Sequence, residues 1–82
     1  MHYVYIVECN DQTYYTGYTN NVEHRIHLHN TGKGAKYTRC RGPVHLVYYE
    51  QFDNKSDALK REYAIKQLTR QQKKELIHNF HE

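Results

Sequence analysis

The opening of the chain constrains its fold most. Two β-branched and aromatic runs, Tyr3 to Cys9 (YVYIVEC) and Thr13 to Gly17 (TYYTG), flank Asn10-Asp11-Gln12. Val, Ile and Tyr favour extended backbone, and Asn and Asp favour turns, so the segment reads as a β-hairpin. Side chains alternate along a strand. Tyr3, Tyr5 and Val7 therefore share one face of the first strand, and Thr13, Tyr15 and Gly17 one face of the second. Two phenols can then face each other across the hairpin. An isolated hairpin is marginal in water, so the rest of the chain must cover it. With 82 residues there is room for one domain, spanning 1–82. A domain of this size buries only about 60% of its unfolded surface, so any active site shares residues with the core.

After the hairpin, Asn20 is a candidate N-cap with Glu23 three residues on, opening a helix to His29 or Asn30, where Thr31-Gly32 stops it. Val22, Ile26 and His29 lie close together on that helix. Arg25 and His29 are neighbours one turn apart, at the border of the apolar stripe. Gly32 to Pro43 (GKGAKYTRCRGP) is a basic, glycine-rich loop, and Val44 to Glu50 reads as a third strand. Ser56 can cap a second helix from Asp57 to about Leu68. Thr69 and Gln72 form a capping box for a third helix reaching Phe80, with Leu76, Ile77 and Phe80 as its apolar stripe. The pattern predicts an α+β domain: a three-stranded antiparallel sheet, the first strand in the middle, flanked by three helices.

Composition limits the partners. The formal charge is +3, with seven further histidines. Such an excess permits contact with phosphate without demonstrating it. No apolar run approaches a membrane span and no signal-peptide pattern opens the chain, so a cytoplasmic protein without membrane contact is expected, a monomer by default. Cys9 and Cys40 are too few for a disulfide scaffold and lack metal-site spacing, so they read as reduced thiols. A zinc site combining them with nearby His stays open.

Glu62 is the sharpest anomaly. On a helical projection it falls inside the arc of Ala58, Leu59, Tyr63 and Ile65. A buried carboxylate is costly unless paired, protonated or metal-bound. An ion pair with Lys66 or an arginine satisfies that requirement as well as a metal does. Arg25, His29, Tyr5 and Tyr15, taken singly, are equally well read as a snorkelling arginine, a satisfied histidine and packing aromatics. Lys33, Lys36, Tyr37, Arg39 and Arg41 interleave charge and an aromatic ring, which suits a phosphate backbone and a stacked base. A merely solvated loop has the same composition.

Together these residues resemble the GIY-YIG nuclease superfamily, in particular its small stand-alone bacterial members. Val4-Tyr5 and Tyr15-Thr16-Gly17 match the two halves of the motif, although the first glycine is missing and Thr16 stands for the usual Ile or Val. Ten residues separate the two tyrosines and ten more reach Arg25, with His29 four further on. Ala58-Leu59-x-x-Glu62 followed by Ile65-Lys66 is similar to the family's metal-binding helix, and the basic loop is also shared. The resemblance implies phosphodiester hydrolysis with one Mg²⁺ or Mn²⁺ on Glu62. It further implies Arg25 at the transition-state phosphate and a tyrosine as base, Tyr5 before Tyr15. His29 would relay the proton or orient the phenol. The expected partner is nucleic acid, DNA favoured at single-stranded or flexible sites. Two other functions stay open on the same fold: a non-catalytic nucleic-acid-binding module and an interaction domain.

Overall fold

A computed structural model of the chain describes residues 1–31 and 43–80. Its elements are β1 (His2–Glu8), β2 (Tyr14–Thr19), α1 (Val22–Asn30), β3 (His45–Phe52), α2 (Lys55–Lys66) and α3 (Arg70–Phe80). The sheet is antiparallel throughout, in the order β2-β1-β3. The first strand is therefore central, as the sequence pattern predicts.

The hairpin closes tightly. The Gln12 N–H donates to the Cys9 carbonyl at 2.9 Å, and the Cys9 N–H to the Thr13 carbonyl at 2.8 Å. Gln12 has φ 69°, the left-handed conformation that a short hairpin needs just before the second strand. Glycine usually takes that position, so Gln12 carries mild strain there.

Each strand presents two different faces. Val4 and Ile6 point to one side, where they pack with Tyr48, Ala58 and Ile65 beneath α2 and α3. Tyr5 and Val7 point to the other, where they pack with Cys9 and Val44, and with Tyr15 and Ile26. Ile26 brings α1 over this second face. The Asn30 side chain then brackets Val44, accepting from its N–H at 2.6 Å and donating to its carbonyl at 3.3 Å. That clamp ties the end of α1 to the start of β3.

The helix starts differ from those expected. Asn21, not Asn20, caps α1, its side chain accepting from the His24 N–H at 3.0 Å. Thr19 explains the shift: its hydroxyl bonds both the N–H and the carbonyl of Asn21 at 3.1 Å and holds the cap in place. Asn54, not Ser56, caps α2, accepting from the Asp57 N–H at 2.8 Å. The helix accordingly begins at Lys55 and ends at Lys66 rather than near Leu68. In both helices the side-chain oxygen of the capping Asn accepts from the N3 N–H. The Thr69–Gln72 capping box forms as expected, with bonds of 2.9 and 3.2 Å. The second and third strands run further than expected, to Thr19 and Phe52, because pairing with both edges of β1 continues that far.

Candidate active site

The site begins with Tyr5 on the central strand. Its ring lies across Gly17, the residue paired with it on β2. A Cβ placed on Gly17 would sit 2.5 Å from the Tyr5 hydroxyl, so only glycine leaves room for the phenol in this pose. Tyr15, two residues before Gly17, shares that face, with ring centroids 6.4 Å from Tyr5. His29 descends from the last turn of α1 and is almost fully buried. Its imidazole completes a trio, 5.9 Å from the Tyr5 ring and 5.5 Å from that of Tyr15. The Tyr5 hydroxyl lies 3.0 Å from His29 Nε2.

Electrostatics show what this trio holds at rest. Burial, and then the Arg25 guanidinium one turn away, push the His29 imidazole below its ordinary pKa, so it is neutral. In the tautomer that leaves Nε2 bare, the neutral imidazole accepts a hydrogen bond from the Tyr5 hydroxyl. Burial, followed by the neighbouring Tyr15 phenol, pushes Tyr5 well above the usual phenol range; Arg25 pulls it down and Glu62 pushes it up. Arg25 and Glu62, from α1 and α2, thus both act on one hydroxyl. Tyr15 and His29 touch Tyr5 directly, whereas Arg25 and Glu62 act on it through their charge.

Glu62 follows the expected stripe only in part. Ala58 and Ile65, four before and three after it, are fully buried, but Leu59 is 41% and Tyr63 68% exposed. The apolar arc is therefore narrower than expected, and Glu62 stands at its margin with 18% of its side chain exposed. Its Oε2 lies 3.2 Å from Lys66 Nζ. This is the expected ion pair, and half of the Lys66 side chain is in solvent. A second acid on the α2 side, Glu50, accepts from Arg61 Nε at 2.9 Å and from the Tyr48 hydroxyl. That set joins β3 to α2. Burial, and next the bond to Glu50, push Tyr48 up to about 12.

The donor set decides which metal it suits. Among the described residues no three His, Cys, Asp or Glu side chains gather around one point. A closed zinc cage finds no match there. One accessible carboxylate beside a flexible lysine suits Mg²⁺ or Mn²⁺, which keep several waters and take further oxygens from a substrate phosphate. Lys33, Lys36, Tyr37, Arg39 and Arg41, expected to bind nucleic acid, lie outside the described residues, as does Cys40.

Gly17 belongs to the site through its contact with Tyr5, although the motif spacing singles out only the side chains around it. Its signal was present, since a glycine inside a strand often marks the close approach of another group. The Asn30 clamp carried no such signal, because an Asn at a helix end is more often a cap than a bridge to a distant strand.

Residues 1–75 match the model of the GIY-YIG catalytic domain. A UPF0213 protein of Oceanobacillus iheyensis is 62% identical over 76 residues, covering 93% of this chain and 88% of that protein. A UPF0213 protein of Halobacterium salinarum is 60% identical over 77 residues, covering 94% of this chain and all (100%) of that protein. The solution NMR structure of the UPF0213 protein from Bacillus halodurans, 52% identical, superposes with a TM-score of 0.62 over 94% of this chain and 82% of that one. A second NMR structure, of a protein from E. faecalis, is 45% identical with a TM-score of 0.64, over 98% and 85% of the two chains. Among the described residues no helix is long and apolar enough to cross a membrane. The hairpin geometry, the tyrosine–histidine trio and these matches lead to one assignment: the chain belongs to the GIY-YIG catalytic domain family, a nuclease-type family.

Proposed function

We propose that this chain is a metal-dependent endonuclease that hydrolyses phosphodiester bonds, in DNA before RNA and at single-stranded or flexible sites. The trio of Tyr5, Tyr15 and His29, whose central hydroxyl also feels the charges of Arg25 and Glu62, carries the reading. A small domain offers little surface for reading a duplex groove, which favours exposed single strands.

In this mechanism Tyr5 takes a proton from the attacking water while its own proton passes to His29 Nε2. The concerted transfer suits the resting state, because a buried phenol does not persist as phenolate and a neutral imidazole is ready to accept. Tyr15, half-buried beside the same imidazole, orients the water and the phosphate. Arg25 faces the negative charge that builds on the phosphorus oxygens. Glu62 would hold a divalent ion, whose chemistry there would be charge neutralisation of the phosphate. Lys66 releases Glu62 for that purpose, which its exposed side chain permits.

The Glu62–Lys66 pair also favours a second reading, in which Glu62 is structural and the domain binds nucleic acid without cutting it. One experiment separates the two. Wild type, Glu62→Gln and Arg25→Ala are incubated with single-stranded, duplex and branched DNA in Mg²⁺ or EDTA, and each sample is also melted. Loss of cleavage by about 10²-fold or more in both variants, with binding kept, supports the nuclease. A Glu62→Gln protein that melts early but cuts at the wild-type rate refutes the metal-ligand role.

A further inference from the structure

The cations of the described surface are not all neutralised alike. Arg61 is paired with Glu50 and Lys66 with Glu62. Arg70 and Lys73, on the first turns of α3, have no acidic partner among the described residues. They line a cleft of about 200 Å³ together with Thr13 and Tyr14. The guanidinium of Arg70 lies over the Tyr14 ring at 5.1 Å and donates to the Gln12 carbonyl at 2.7 Å. These two contacts hold the guanidinium in place while the residue stays exposed to solvent. Such an arginine loses little rotamer entropy on meeting a phosphate. The nearest acid in the turn, Asp11, is engaged by the N–H and hydroxyl of Thr13 at 3.2 and 2.6 Å.

The position of the cleft gives it an occupant. Strand β2 lies at the edge of the sheet. Tyr14 faces the cleft side and Tyr15 the catalytic side, so the two neighbours bracket that edge. From Tyr14 to Gly17, beneath the Tyr5 hydroxyl, is three strand residues, or about 10 Å. Because the cleft and the Tyr5 hydroxyl lie on opposite faces, a strand joining them also passes around the β2 edge, a span of a few nucleotide steps. We infer that Arg70, Lys73 and Tyr14 form a phosphate-binding subsite that grips the backbone of a single-stranded nucleic acid where it leaves the catalytic centre along the β2 edge. The subsite deepens the nuclease reading and rests on it. Its residues are different from those of the basic loop, Lys33 to Arg41, expected to bind nucleic acid.

The test measures binding of the full chain to a fluorescent single-stranded oligonucleotide in EDTA, by anisotropy, across a salt series. Arg70→Ala/Lys73→Ala is compared with Lys60→Ala/Lys74→Ala, which removes the same charge from exposed positions outside the cleft. The subsite predicts that the first pair loses affinity several-fold and flattens the log Kd–log salt slope by about 1.4, at about 0.7 per phosphate contact. The control pair should do neither. Because Arg70 also anchors Gln12, the single variant Lys73→Ala, which breaks no side-chain hydrogen bond or ion pair among the described residues, should account for about half the change in slope, and all variants are melted alongside. Equal losses in the two pairs would mean that only net charge matters and would overturn the subsite. Wild-type cleavage combined with unchanged binding by Arg70→Ala/Lys73→Ala would overturn the subsite alone. A wild type that neither binds nor cuts overturns the nuclease reading and the subsite with it.

Discussion

The two faces of the sheet use the same strand for opposite purposes. On the face under α2 and α3, Val4 and Ile6 meet Ala58, Ile65 and Tyr48, all buried and mostly apolar. On the face under α1, Tyr5 from between them meets Tyr15, His29 and the charge of Arg25. The first face spends its burial on cohesion. The second buries polar groups that satisfy one another and hold a protonated phenol against a neutral imidazole. A period-two strand makes this division cheap, because alternate residues answer to different neighbours. The division is not perfect. Thr16 points into the apolar face, and its hydroxyl is buried with no hydrogen-bond partner among the described residues.

Mutations on the two faces should therefore separate stability from activity. The largest effect on folding is expected for Ile6→Ala, which empties a fully buried site on the apolar face. Destabilisation should be about 2–5 kcal/mol, seen as a melting temperature lowered by 10 °C or more, roughly 4–8 °C per kcal/mol. Cleavage per folded molecule should survive. A loss of cleavage in the folded fraction matching that of a catalytic variant would break the comparison.

Tyr5→Phe is the mirror experiment on the other face. It keeps the ring against Gly17 and removes one hydrogen bond, for a stability change of about 1 kcal/mol. Cleavage should fall by roughly 10²–10⁴-fold if the phenol transfers the proton. Tyr15→Phe should fall less, since its hydroxyl orients rather than transfers. Equal losses in the two would remove the distinction between the phenols.

The pH dependence of stability sharpens the contrast further. The folded protein holds His29 below its ordinary pKa, so folding favours the neutral imidazole. The unfolded chain then binds more protons below a pH of about 6.5, and stability falls as pH drops through that range. His29→Gln removes this contribution. Melting curves from pH 7.5 to 5 should show the wild type losing more stability than the variant. Parallel pH profiles would mean that the imidazole is charged in the fold.

The smallest effect is expected where the apolar face carries its one stray polar group. Thr16→Val replaces the unpaired hydroxyl with a methyl of similar shape and should raise stability by about 1 kcal/mol. A melting temperature that falls would show that the hydroxyl is satisfied in solution.

Sequence by itself determined the strand alternation, the central position of β1 and the order of the helices, because each follows from local periodicity, capping and turn residues. The five catalytic candidates were legible through the spacing of the motif and not through any one of them, since Tyr5 or His29 alone reads equally well as packing. Tertiary structure decided the rest. Which Asn caps each helix depended on competing side chains that sequence weighs alike. The width of the apolar arc beside Glu62 depended on how α2 rolls against the sheet, which left Leu59 and Tyr63 in solvent. The neutral His29 and the proton-holding Tyr5 depended on burial and on Arg25 and Glu62 arriving from separate helices. The requirement for Gly17 depended on a ring lying across it from the next strand. Each of these is a distance between residues far apart in the chain, and local propensity carries no information about such distances.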